Sequence, residues 1–232
     1  MSDKPDTVAQ READLVGIRI AELQENPVRG NFDAEHLKAI HAYIFQDLPH
    51  HKPGSIRADT ANWVKHRLLE GQRAVYEVAY AHENVTGRIA GILGAFGGPV
   101  TLKGRTADAI AARLADLYGD LDHAHGFYEG NSRTLREFSR EPALAAGYRL
   151  DWTATAAGTS GRNELYIARD IAVLERAFPG LTPERAAQTT DRAEYEASFV
   201  LPGLRAAMGN RSLEAIIRDG LTPSSPTDRA HT

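Results

Sequence analysis

The chain has 232 residues, a formal net charge of −4 and a pI near 6.1; that length allows one substantial core, and the acidic balance argues against a strongly basic nucleic-acid or anionic-membrane binder. It contains no cysteine, which excludes disulfide staples, thiolate zinc sites and thiol nucleophiles and fits a reducing compartment. No apolar run approaches the roughly 20 residues that cross a bilayer, and residues 1–6 lack the apolar centre of a signal peptide, so a soluble cytoplasmic protein is expected.

Residues 10–24 place Leu15, Ile18, Ile20 and Leu23 among charges, the pattern of an amphipathic helix, and Asn26-Pro27 ends it. Asp33 is positioned to cap a second helix, with Leu37, Ile40, Ile44 and Leu48 on its buried face. The segment 63–78 reads as two strands around a turn at Glu70-Gly71-Gln72, a helix through 64–69 being the alternative. Helical patterns then follow over 83–96, stopped by Gly97-Gly98-Pro99, and over 106–121. A helix over 134–145, a loop over 150–162, helices over 163–178, 184–208 and 212–218, and a polar, disordered tail over 222–232 complete the expectation. The predicted organisation is residues 1–31 as a tip and first helix, 32–148 as the core, and 149–221 as a helical extension of the same domain.

The chemistry concentrates in His125-Gly126-Phe127-Tyr128-Glu129-Gly130-Asn131-Ser132-Arg133-Thr134-Leu135-Arg136. Gly130, Asn131 and Ser132 precede the predicted helix start, where free backbone N–H groups favour an anion. Arg133 and Arg136 are three residues apart on that helix and able to grip phosphate oxygens with their guanidinium forks. Glu129 offers the hard oxygen that Mg²⁺ accepts beside phosphate. His125, the one side chain in this stretch that titrates near neutral pH, is the candidate general base. His123 and His125 also form an H-x-H pair that with Glu129 would suit zinc, a reading in which the anion loop has no part. His50-His51 reads as a solvated loop pair.

These residues match H-x-F-x-[D/E]-G-N-x-R-x-x-R at all seven fixed positions, and the stretch resembles the signature of the Fic family. Gly126 and Ser132 differ from the Pro and Gly found in many relatives, without removing a functional group. The resemblance implies a mainly α, Fic-type helical bundle with one short β-hairpin flap, in which the run 32–45 resembles the first conserved helix. It implies a protein adenylyltransferase using ATP and Mg²⁺. In that reading His125 is the base and Glu129 the metal ligand. Asn131 and the 130–132 backbone form the anion hole, Arg133 binds phosphate and Arg136 holds the γ-phosphate. The hairpin at 63–78 would hold the target protein. The inhibitory pattern [S/T]-x-x-x-E-[G/N] is not met in this sequence; its nearest approach, Ala21 to Asn26, has Ala where Ser or Thr is required. A separate small antitoxin carrying that helix is therefore the expected partner, with no direct nucleic-acid or membrane partner. The target implied by short relatives is a type II topoisomerase; no delivery segment follows the core in this sequence, which favours an endogenous bacterial toxin. Doc-like phosphotransfer, transfer of UMP or GMP, and a non-catalytic binding module are the alternatives.

Overall fold

The computed structural model describes residues 7–69, 74–156, 158–209 and 211–225. Helix α1 (Val8–Glu25) is capped by Thr7, and α2 (Ala34–Phe45) by Asp33, whose carboxylate accepts from the His36 N–H at 2.9 Å. A single 3-10 turn, Pro49–His51, follows. Strands β1 (Val64–Leu69) and β2 (Ala74–Ala79) pair antiparallel, which decides for the hairpin against a helix over 64–69; the turn at 70–73 lies outside the described residues. Next come α3 (Val85–Phe96), α4 (Ala107–Ala124) and α5 (Asn131–Ala145). The remainder is β3 (Tyr148–Leu150), α6 (Gly161–Ala177), α7 (Pro183–Ala186), α8 (Arg192–Ala207), α9 (Leu213–Gly220) and β4 (Leu221–Pro223).

Helix α4 organises the core. It packs against α3, α5, α6 and α9, and its Ile110, Leu114, Leu117 and Leu121 are buried in one cluster with Ile40, Ile44 and Phe45 of α2 and Leu135 and Phe138 of α5. Each such side chain contributes roughly 1.5–3 kcal/mol by leaving water. A second, smaller cluster joins Tyr76 and Val78 of β2 to Val173 and Leu174 of α6 and Leu201 and Leu204 of α8. The hairpin is thereby half-packed: Tyr76 and Val78 face inward, while the cross-strand pair Leu68 and Val75 is solvent-exposed. Its inner face is tied to α6 at Asp170, which accepts from the Tyr76 hydroxyl at 2.8 Å and lies 3.4 Å from the Arg67 guanidinium.

Three expectations are corrected. The helix expected over 184–208 is broken into α7 and α8, because Thr182 caps the first and Asp191 caps the second by accepting from the Ala193 N–H at 2.8 Å. Thr222 and Pro223, expected in a disordered tail, belong to β4, which pairs with β3 in a second two-stranded sheet. Helix α5 begins at Asn131 rather than Thr134, so the expected anion loop is itself the first turn of the helix. No described helix is long and apolar enough to cross a membrane.

Candidate functional site

The site is built where α4 ends and α5 begins. His125 is the C-cap of α4 with φ 47°, a left-handed conformation that a non-glycine residue adopts only when its surroundings hold it there. The holder is Arg57. Its Nε donates to the His125 carbonyl at 2.6 Å, its Nη2 to the carbonyls of Ala81 and Ala124, and its backbone N–H to the Gly126 carbonyl at 2.8 Å. A guanidinium at this point satisfies the last carbonyls of α4 and complements the negative end of the helix dipole. Arg57 is only 2% exposed and stacks on the Trp63 ring.

The His125 imidazole is equally enclosed. Its Nδ1 lies 3.3 Å from the Asp122 carbonyl and 3.8 Å from the Asp122 carboxylate, the Tyr80 ring covers it at 4.0 Å, and Nε2 is buried with no hydrogen-bond partner. Burial lowers its pKa to about 4 against the pull of Asp122, so at neutral pH the ring is the free base. Asp122 is itself clasped by Arg169 through two bonds of 2.9 Å. Burial pushes its carboxyl up, but the Arg169 charge and the hydrogen bond to His125 prevail and hold it well below the usual carboxylate range.

The loop between the helices is fixed from below. Phe127 is buried and stacks on His41 of α2 at 3.8 Å. The His41 Nδ1 accepts from the Gly54 N–H at 2.9 Å, which leaves Nε2 to donate to the Glu129 carbonyl at 3.1 Å. The Asn131 side chain accepts from the Phe127 N–H at 2.9 Å and donates to the Phe127 carbonyl at 2.7 Å. Its amide is thus committed to the loop, and its part in an anion site falls to the backbone. Gly130 has φ 78°, and a Cβ there would meet the Phe45 ring at 2.1 Å, so glycine alone fits. No side chain caps α5, so its first-turn N–H groups remain directed at whatever lies ahead of them.

Ahead of them is a cavity of about 570 Å³, within the range of small-molecule and nucleotide pockets. Glu129, Gly130, Ser132, Arg133 and Arg136 line it, together with Ala13, Val16, Gly17 and Ile20 of α1 and Arg162 and Tyr166 of α6. Five of the seven site residues expected from sequence therefore share one cavity. Asn131 and His125 are not among its lining residues. One Glu129 oxygen, Oε1, accepts from the Gly130 N–H at 2.9 Å and lies 3.3 Å from the Arg133 guanidinium, while Oε2 has no partner among the described residues. Burial pushes this carboxyl up, yet the Gly130 N–H, Lys65 and Arg133 together hold it below its ordinary value. The Arg133 guanidinium also covers the Phe45 ring at 4.8 Å.

The donor atoms of His123, His125 and Glu129 do not converge; the one described group of three metal-type ligands is Glu12, His50 and His51. Four residues near the site were missed in the sequence: Arg57, Lys65, Asp122 and Arg169. Burial lowers the pKa of Lys65 on β1, against the charges of Glu129 and Asp122. Nothing local marks any of the four, apart from Asp122 standing three residues before His125.

Residues 31–141 match the Fic/DOC family model. That match covers just under half of the chain and contains the whole motif from His125 to Arg136. It is 30% identical over 146 residues to the protein adenylyltransferase VbhT of Bartonella schoenbuchensis, an alignment spanning 61% of this chain and 27% of that protein. The fold is similar to that of the Bartonella tribocorum effector BepC with bound AMPPNP, at TM-score 0.62 and 20% identity over 97% of this chain and 90% of that one. The N-terminal Fic domain of a Bartonella quintana VirB-translocated effector with bound ADP is similar to the same degree, TM-score 0.62 and 20% identity over 97% and 89%.

Proposed function

We propose that this protein is a protein adenylyltransferase that moves AMP from ATP to a hydroxyl side chain of a target protein. The observation that carries the reading is the pairing of a neutral, unpartnered His125 Nε2 with an uncapped helix start that presents Glu129, Arg133 and Arg136 to a nucleotide-sized cavity. The name of the VbhT relative and the AMPPNP and ADP held by the Bartonella structures support it.

In this reading the phosphates of ATP lie on the first turn of α5, with Arg133 and Arg136 neutralising their outer oxygens. The target hydroxyl oxygen attacks the α-phosphorus while His125 Nε2 accepts its proton. The bond from the α-phosphorus to the bridging oxygen breaks, and pyrophosphate leaves with that electron pair. Asp122, locked by Arg169, holds the His125 ring and stabilises the imidazolium that forms. Glu129 has the free carboxylate oxygen that Mg²⁺ binding beside phosphates requires; when bound, the ion supplies further neutralisation of the phosphate charge. Positioning and charge neutralisation account for most of the rate enhancement.

The hairpin of β1 and β2 holds the target, since among the described residues each of its two strands has an edge without a strand partner and Lys65 of β1 lies within electrostatic reach of Glu129. Regulation comes from a separate antitoxin helix that brings a glutamate to Arg136. Support for this is the face that α1 turns to the cavity, which is Ala13, Val16, Gly17 and Ile20, while Glu25 lines a different cavity beside Glu137 and Arg140. The target, a type II topoisomerase, and the cytoplasmic toxin role rest on family resemblance alone.

The test is His125→Ala. Loss of the base lowers transfer by about 10²–10⁴-fold with ATP affinity unchanged, because His125 does not line the cavity. Transfer at the wild-type rate by this variant would remove His125 from the reaction.

A further inference from the structure

Glu12, on α1, meets His50 and His51, which occupy the 3-10 turn Pro49–His51. The His50 Nε2 lies 2.9 Å from Glu12 Oε1, and the His51 Nε2 lies 3.5 Å from Glu12 Oε2. The three ligand atoms all lie within 4.8 Å of one another. A tetrahedral zinc ion, with bonds of about 2.0–2.1 Å, needs its donors roughly 3.3 Å apart, so small side-chain rotations gather these three around one ion.

We propose that Glu12, His50 and His51 form a binding site for a divalent transition-metal ion, zinc in particular, that staples α1 to the 3-10 turn at the rim of the candidate nucleotide cavity. Two imidazoles and one carboxylate are a donor set for zinc, copper, iron or nickel, whereas magnesium prefers oxygen ligands throughout. Three protein ligands leave a position open for water. The two histidines are held in place by their backbone, since the His51 N–H donates to the Leu48 carbonyl at 3.0 Å and the Lys52 N–H to the Pro49 carbonyl at 3.0 Å. The nearest cation in sequence, Lys52, is turned away onto the Tyr128 ring at 4.0 Å. The His50 side chain is 56% exposed, which provides the entry path.

The position gives the site a consequence. Glu12 is followed on α1 by Ala13, Val16, Gly17 and Ile20, which form one wall of the cavity. His51 packs edge-on against Phe45 at 5.6 Å, the same ring that lies beneath Gly130 and Arg133. A metal ion here joins the cavity wall to the support of the motif loop. It binds the chain with α1 docked and not the chain with α1 released, so it favours the docked wall by mass action.

The experiment is calorimetric titration of the whole chain with zinc chloride alone, wild type against Glu12→Gln, His50→Gln, His51→Gln and the His50→Gln/His51→Gln pair. The wild type takes up one more equivalent of zinc than the double variant, and each single variant binds that equivalent at least about tenfold more weakly. Cobalt in place of zinc gives the visible absorption of a low-coordinate nitrogen and oxygen site in the wild type and not in the double variant. With free zinc at 100 times its dissociation constant, hydrogen exchange of the α1 amides by release of that helix slows by about 100-fold. Equal zinc uptake by the wild type and the double variant would overturn the proposal, as would unchanged α1 exchange in the zinc-loaded wild type.

Discussion

Arg57 is the residue whose removal tests the architecture of the site most severely. Its side chain donates to four main-chain carbonyls, those of Ala58, Ala81, Ala124 and His125, the last two at the end of α4, and it is 2% exposed. Bonds from a charged donor contribute about 1.5–3 kcal/mol each, and a cation at a partly buried helix C-terminus adds up to about 2 kcal/mol. Arg57→Lys keeps the charge, but a single ammonium lacks the fork that reaches carbonyls on two chain segments. The expected cost is about 2–3 kcal/mol, a melting temperature lower by roughly 4–12 °C for a chain of this size. Arg57→Ala removes the charge as well and leaves buried carbonyls unpaired, costing about 4–6 kcal/mol, a large part of the 5–15 kcal/mol typical of a domain. The assay is a thermal melt of both variants, paired with ATP titration of Arg57→Lys below its transition. Arg57 does not line the cavity, so nucleotide affinity holds while adenylyl transfer falls with the displacement of His125. A melt of Arg57→Lys within about 1 °C of wild type, in place of the roughly 4–12 °C shift, would refute the reasoning that this guanidinium holds the end of α4.

Other expectations follow from the same geometry. The acid limb of kcat/KM lies near pH 4 rather than 6.5, because burial lowers His125 to about 4. Protonation switches the base off, so activity persists as pH falls from neutral and is lost only through that value; a limb at the ordinary histidine position would contradict the buried setting. Gly130→Ala combines a left-handed backbone at φ 78° with a Cβ placed 2.1 Å from Phe45. It costs about 2–5 kcal/mol and weakens ATP binding, and a variant that melts and binds like wild type would show that the loop tolerates a side chain. Arg136→Ala removes a cation from the cavity and weakens ATP binding by about 10–100-fold, the equivalent of one charge-assisted bond; equal affinity by titration would remove Arg136 from the site.

What was legible in the sequence was what is local. The motif packs base, acid, glycine loop and arginines into twelve consecutive residues, and the turn that joins α4 to α5 converts that proximity directly into a site. The hairpin and the main helices were legible for the same reason, since period and caps act over a few residues; the inner face of α1 was not, because Leu15 and Ile18 stand exposed while Val16 is buried beside Leu23. The start of α5 was misplaced by three residues because Asn131 bonds its side chain to Phe127 while its backbone is already helical. Arg57, bonded across 68 positions to His125, and Arg169, bonded across 47 to Asp122, carry no local mark. Each is one arginine among many until the fold brings it to a buried partner. The same holds for Glu12. His50-His51 reads as a surface pair from sequence, and only the docking of α1 supplies the third ligand.

The central claim, that the helix start and His125 move the adenylyl group of ATP, is tested most directly by the position of the label. The purified chain is incubated with Mg²⁺, a bacterial lysate and ATP labelled at either the α- or the γ-phosphate. Label from the α-phosphate, and none from the γ-phosphate, on a protein band that is lost with His125→Ala is the predicted result. Label transferred from the γ-phosphate alone would mean a phosphotransferase and would contradict the account.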